Sequence, residues 1–269
     1  MTTNDSPDED VILKQLDDDG VLLITLNRPK RKNAFNEAQW DGFADALNDA
    51  REDPRVAVVV VTGAGGNFSS GVDLASFSGE RPPARTDGHK SGFFACVAAV
   101  FAFDKPLLCA VEGVAIGGGC TLALAGDITY VGEGVRMRLP FANLGLVPEI
   151  ASSYTLAASI GRQRAAELMF TAEWIDAARA VDVGMVAGAF PDAEVLEATL
   201  AKAREIAQWP ISALRAIKRT LQRAHQAGIE AALAIEDDEM TKQAGSPENV
   251  EAVVSFVQKR KPDFKQFRK

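Results

Sequence analysis

Two glycine-rich turns and one carboxylate are the places in this chain where chemistry could be done. The first turn is Phe68-Ser69-Ser70-Gly71-Val72-Asp73-Leu74 and the second Gly117-Gly118-Gly119-Cys120. Each follows an apolar run, and glycine allows backbone N–H groups to approach a ligand closely. The same turns also suit tight packing, so neither alone specifies a ligand. Glu149 stands between Pro148 and an apolar helix start, flanked by Leu146, Val147 and Ile150. A carboxylate in such company is partly desolvated, which raises its pKa toward the range of a general acid or base. An acid there can equally serve the N-terminus of the following helix. Lys30-Arg31-Lys32 and Lys259-Arg260-Lys261 could gather an anionic ligand or form solvated basic faces.

Other chemistries are excluded or weak. Gly63-Ala64-Gly65-Gly66 lacks the third glycine of a dinucleotide fingerprint, and no glycine loop ends in Gly-Lys-Ser/Thr, so a P-loop is excluded. Cys96, Cys109 and Cys120 are odd in number, lie in apolar company and show no Cys-x-x-Cys spacing; they read as buried reduced thiols, with no disulfide framework and no metal site. His89 falls in a loop and His225 in a late helix, and both are expected at the surface. Glu112 is expected to have an outward or structural role, and Asp127 to support a turn.

The elements that must position these groups follow from periodicity. Val11 to Leu16 and Val21 to Asn27, separated by Asp17-Asp18-Asp19-Gly20, predict a hairpin. Asn36 caps a helix carrying Trp40, Phe43, Ala44 and Leu47, which stops at Pro54. Val56 to Thr62 is a β-branched run suited to a strand buried on both faces, so a parallel sheet with covering helices is expected. Residues 75 to 90 read as a mobile loop able to lie over a site, followed by a helix to about Phe103, a strand over Leu107 to Val111, and a helix after the second turn ending at Asp127. From about Ala151 the pattern is helical, with segments near 162 to 170, 192 to 208, 212 to 227, 229 to 244 and 247 to 259.

Composition sets the frame. The 269 residues, 47% hydrophobic and 25% charged, are enough for a substantial core. With 29 Lys+Arg against 37 Asp+Glu the formal charge is −8, so no nucleic-acid partner is indicated. No apolar run approaches a membrane span, and the polar, acidic start Met1 to Asp10 has the features of neither a secretory signal nor a transit peptide, so a cytoplasmic location is expected.

The two glycine turns, together with Asn27-Arg28-Pro29, Asn33-Ala34, Lys105-Pro106 and Asp127, resemble in order and spacing the crotonase (enoyl-CoA hydratase/isomerase) superfamily over roughly residues 10 to 265. The resemblance implies an α/β fold, a crotonase-like ββα spiral core over 10–200 and a C-terminal helical trimerisation region over 201–269. It implies an oxyanion hole donated by the N–H groups of Val72 and Gly118, where an enolate oxygen would be stabilised by about 3 kcal/mol per donor. It implies coenzyme A contacts from Ser70, Gly71, Asp73 and Leu74, phosphates near Lys30 and Lys32, and contacts from Phe256 and Lys259, often across a subunit boundary in a homotrimer or dimer of trimers. Trp174 and Tyr154 are candidates for lining an acyl pocket or for packing.

Hydratases of that family carry two glutamates, and the corresponding positions here are Thr121 and Phe141, neither able to act as a base near neutral pH. The stretch Leu139 to Tyr154 is similar instead to Δ3,Δ2-enoyl-CoA isomerases of the peroxisomal type, whose catalytic glutamate falls on Glu149. The implied reaction is a proton shuttle in fatty-acid β-oxidation, for which one base suffices and no metal or redox cofactor is required; coenzyme A is part of the substrate. Hydration or another thioester reaction using Glu149 alone, and a non-catalytic acyl-CoA-binding protein, are the alternatives.

Overall fold

A computed structural model describes residues 10–73 and 87–268. The hairpin forms as expected: β1 (Ile12–Leu16) runs antiparallel to β2 (Val21–Leu26), and the Asp17 carboxylate closes the turn by accepting from Asp19 N (3.1 Å) and Val21 N (2.9 Å). After a single turn at Pro29–Arg31, α1 (Glu37–Glu52) begins where the Asn36 side chain accepts from Gln39 N at 3.0 Å, satisfying one of the amides a helix start leaves free. Trp40, Phe43, Ala44 and Leu47 are all buried.

The chain continues through β3 (Val58–Gly63), α2 (Gly92–Ala102), β4 (Leu107–Val111), β5 (Val114–Ile116), α3 (Gly118–Leu124), β6 (Ile128–Gly132) and β7 (Arg136–Arg138). Then come α4 (Phe141–Leu144), α5 (Ser152–Ile160), α6 (Arg162–Thr171), α7 (Ala177–Asp182), β8 (Gly188–Phe190), α8 (Val195–Ala207), α9 (Ile211–Gln243) and α10 (Pro247–Val257). The main sheet has the order β1-β2-β3-β4-β6-β8, and every pairing after the first is parallel. A parallel strand needs apolar cover on both sides, and β3 has it. Val59 and Val61 belong to the large core beneath α1 and α2, whereas Val58 and Val60 belong to a smaller one with Leu108 and Ala203 of α8. Each such valine contributes about 1.5–3 kcal/mol relative to exposure.

A second, two-stranded sheet pairs β5 with β7, and isolated bridges Phe35–Val72, Ser69–Ala115 and Met137–Ile175 adjoin it. Runs of three residues carry too little pattern to be read from sequence, yet they bring the two glycine turns together. From Ala151 on the chain is mostly helical, as expected, with two corrections: the short β8, three residues at the edge of the main sheet, interrupts the helices, and a predicted break is absent. The segments 212 to 227 and 229 to 244 are a single 33-residue helix, α9, because Gly228 does not break it. Gly228 gives room to a ring: a β-carbon there would lie 2.3 Å from Tyr154 Cζ. The expected loop at 75 to 90 falls, up to residue 86, outside the described residues.

Lys218 of α9 ties this region to the sheet. Its Nζ lies 2.8 Å from Asp127 Oδ2 and donates to the Lys105 carbonyl at 2.9 Å, while Asp127 accepts from Leu107 N at 2.8 Å. All three cysteines are buried as free thiols, and desolvation holds Cys109 and Cys120 up at about 12. No helix among the described residues is long and apolar enough to cross a membrane.

Candidate active site

The first glycine turn is bound to its surroundings almost amide by amide. Ser69 N donates to Val114 O (3.0 Å), Ile116 N to Ser69 O (3.0 Å), Phe35 N to Gly71 O (2.7 Å) and Asp73 N to Phe35 O (2.8 Å). The Ser69 hydroxyl donates to Asn33 O at 2.8 Å and accepts from Gly71 N at 3.1 Å. Buried Asn33 in turn donates to Ala64 O (2.9 Å) and Asn67 O (2.6 Å) and accepts from Arg28 N at 2.9 Å. In the second turn Gly117 N donates to Arg138 O at 3.0 Å. Among the described residues, Val72 N in the first turn has no acceptor, nor have Gly118 N, Gly119 N and Cys120 N, the opening amides of α3. Gly71 adopts φ +87°, and a β-carbon on it would lie 2.5 Å from Ile116 O and 3.6 Å from Gly118 N, so glycine is what lets the turns close on one another.

Glu149 lies against Gly118 of the second turn. A β-carbon on Gly118 would stand 3.0 Å from Glu149 Oε1 and 3.4 Å from Trp40 Cη2. Trp40 is stacked on Phe35 (centroids 3.8 Å apart) with Phe93 edge-on at 5.3 Å, so the carboxylate borders an aromatic wall. No described residue donates a hydrogen bond to it. Burial, and then the negative charge of Glu236, push its pKa from near 4.5 up to about 7. The alternative role as a helix-start acid is taken by another residue. It is Glu236 that accepts from Ala151 N (2.8 Å) and Ser153 N (2.9 Å) at the beginning of α5. Ile150 (φ 56°) and Ala151 (φ 53°) are both left-handed, a sharp reversal between Glu149 and α5.

The remaining candidates divide by location. Lys30 and Lys32 are exposed, and the segment bearing them is pinned to the first turn, since Ser70 N donates to Lys32 O at 2.9 Å and Ser70 Oγ to Arg31 O at 3.2 Å. The amides of Ser70 and Asp73 are therefore already engaged, which leaves their carbonyls for a ligand. The Asp73 carboxylate is paired with Arg28 at 3.1 Å. Leu74 lies outside the described residues. Phe256 and Lys259 are exposed at the end of α10, which is held to α4 by Asn249 Nδ2 donating to Leu144 O at 2.7 Å. Arg260 of that basic cluster is engaged by Glu251, whose carboxyl it holds down at about 2.

Thr121 and Phe141 are buried, Thr121 Oγ1 donating to Gly117 O at 3.2 Å. Trp174 is not in the core: it is 44% exposed, with the Arg136 guanidinium 4.1 Å above its ring. Tyr154 packs against α9, its hydroxyl 3.0 Å from Nδ1 of exposed His225. His89 is half-buried. Desolvation and Asp192 raise the pKa of Glu112, whose carbonyl accepts from Phe68 N at 2.8 Å. Glu236 was invisible in sequence, being the first acid of the run Glu236-Asp237-Asp238-Glu239 on an amphipathic helix, and Trp40 read only as core.

Comparison with known proteins finds relatives along nearly the whole chain. The profile of the enoyl-CoA hydratase/isomerase family matches residues 17–268. A 2,3-dehydroadipyl-CoA hydratase of Escherichia coli K12 is 35% identical over 245 residues, covering 91% of this chain and 95% of the relative. A 1,2-epoxyphenylacetyl-CoA isomerase of the same organism is 32% identical over 248 residues, with 91% and 95% covered. The crystal structure of an enoyl-CoA hydratase/isomerase from Pseudoalteromonas atlantica T6c superposes with a TM-score of 0.89 at 31% identity, over 94% of this chain and 99% of that one.

Proposed function

The chain belongs to the enoyl-CoA hydratase/isomerase family, and from that footing we propose that it shifts the double bond of a 3-enoyl-CoA to C2 with Glu149 as its one base. The observation that carries the reading is a desolvated carboxylate with no hydrogen-bond donor among the described residues, set beside Gly118, with Thr121 and Phe141 where a two-glutamate hydratase would hold its acids. Glu149 takes the proton from C2. The electron pair moves into the thioester carbonyl, whose oxygen receives hydrogen bonds from Val72 N–H and Gly118 N–H. The dienolate then collapses toward C2=C3 as Glu149 returns the proton at C4. Atoms balance with no water and no redox partner, and coenzyme A enters as part of the substrate. A base of pKa near 7 is matched to both halves of this shuttle. Lys30 and Lys32 are positioned to meet phosphates of coenzyme A lying along the first turn, and exposed apolar residues of α9 and α10 support an assembly of three or six chains.

The test is incubation with 3-enoyl-CoA and product identification by mass and chromatography. Glu149→Gln should lower turnover by about 10²–10⁴-fold while acyl-CoA binding persists; undiminished turnover by that variant rejects the mechanism. The similarity to a 2,3-dehydroadipyl-CoA hydratase favours a second reading, in which Glu149 positions a water for addition to a 2-enoyl-CoA. Formation of 3-hydroxyacyl-CoA from 2-enoyl-CoA, without isomerisation of the 3-enoyl substrate, would select it.

A further inference from the structure

We propose that Glu236, on α9, is a positioning residue of this site, holding the Ala151 and Ser153 amides and so fixing where the Glu149 carboxylate stands. The proposal rests on the reading of Glu149 as the base. The start of α5 has no cap of its own: residue 151 is an alanine, and the first amides of a helix have no partner within it. Glu236 supplies the missing acceptors from 83 and 85 residues away in sequence, taking Ala151 N at 2.8 Å, Ser153 N at 2.9 Å and the Ser153 hydroxyl at 2.5 Å. It accepts all three and donates none, which is the pattern of an ionised carboxylate.

Its side chain is buried, with only 6% of the residue exposed, and burying a carboxylate is a large penalty for capping a nine-residue helix. A side chain caps a helix from an extended residue, whereas Ala151 is left-handed at φ 53°, so the acceptors come from elsewhere. What the long-range arrangement adds is control of the turn between. Ile150 and Ala151 both sit at positive φ, a conformation a β-branched residue holds only when its surroundings impose it, and Glu149 is the residue before them. The same carboxylate places negative charge behind Glu149 and opposes its ionisation. The titratable groups bearing on Glu149 are Glu236 from α9 and the Cys96 thiol from α2, while α1 and α3 face it with Trp40 and Gly118.

The two contributions separate in two substitutions of the full-length protein. Glu236→Ala removes cap and charge; kcat for 3-enoyl-CoA should fall about 10–100-fold with KM within about twofold, since a misplaced base affects the chemical step more than binding. Glu236→Gln keeps the shape and one acceptor but not the charge. Its ascending pH limb of kcat/KM should move down by about one unit, because Glu149 then ionises without a like charge behind it. A merely structural role would lower thermal stability yet leave kcat of the folded enzyme and the limb where they were, and that result overturns the proposal. Should Glu236→Ala fail to fold, Glu236→Gln decides alone. The Glu149 carboxyl can also be titrated by infrared difference spectroscopy, its band assigned by loss in Glu149→Gln. A downward displacement in Glu236→Gln supports the placement even where no isomerase turnover is found, and no displacement refutes it even where turnover is present.

Discussion

At the scale of single residues, the site concentrates on one half-buried acid with no hydrogen-bond donor among the described residues. With Glu149 near 7, kcat/KM for isomerisation should climb with pH through about 7, and a rate profile over pH 5 to 9 checks it. The same displacement has a consequence for stability with a definite sign. A carboxyl whose pKa is higher folded than unfolded makes the fold less stable as pH rises from about 4.5, and the loss is complete just above 7, on the order of 3 kcal/mol. Glu149→Gln, which cannot ionise, should therefore melt higher than the wild type at pH 8 and much closer to it at pH 4.5. A second residue-scale expectation concerns Gly118. An alanine β-carbon there would press on Glu149 Oε1 at 3.0 Å, so Gly118→Ala should fold normally but lose about 10²-fold in kcat through displacement of the base.

At the scale of elements, the decisive ones are those that bring the turns and the acid to one place. Much of that was legible. The hairpin, the Asn36 cap and the doubly buried valines of β3 each carry a local signal: turn residues, a side-chain acceptor, an unbroken β-branched run. What was not legible depends on distant contacts. β5 and β7 are too short for a period, and Gly228 looked like a break because isolated glycine weakens helices by about 1 kcal/mol relative to alanine. Against Tyr154 the balance reverses. Gly228→Ala gains that propensity but forces a methyl to within 2.3 Å of a ring, an overpacking that costs about 1–3 kcal/mol, so thermal denaturation should show a lower midpoint in spite of the better helix former. The candidate site was half visible for the same reason. Glu149, Val72 and Gly118 sit in recognisable local patterns, whereas Glu236 joins them only through folding, from a helix whose acids all look alike on paper.

At the scale of the whole molecule, the C-terminal helices leave unusual apolar area uncovered. Ile217, Leu221 and Ile235 on α9 and Val250, Phe256 and Val257 on α10 are between 50% and 73% exposed. Light scattering should find an assembly larger than one chain, and Leu221→Lys with Ile235→Lys should shift it toward monomers; a wild type that is monomeric at micromolar concentration would remove the basis for an oligomer. The continuity of α9 joins this surface to the interior. Along that one rod Leu214, Lys218, Ala232 and Glu236 are buried, the last gripping the bend behind Glu149, while Ile217, Leu221 and Ile235 on the adjoining flank are exposed. If light scattering finds an assembly, dilution becomes a chemical variable: specific activity should sag over the concentration range in which subunits part and recover on reconcentration, since the exposed residues and Glu236 share one helix.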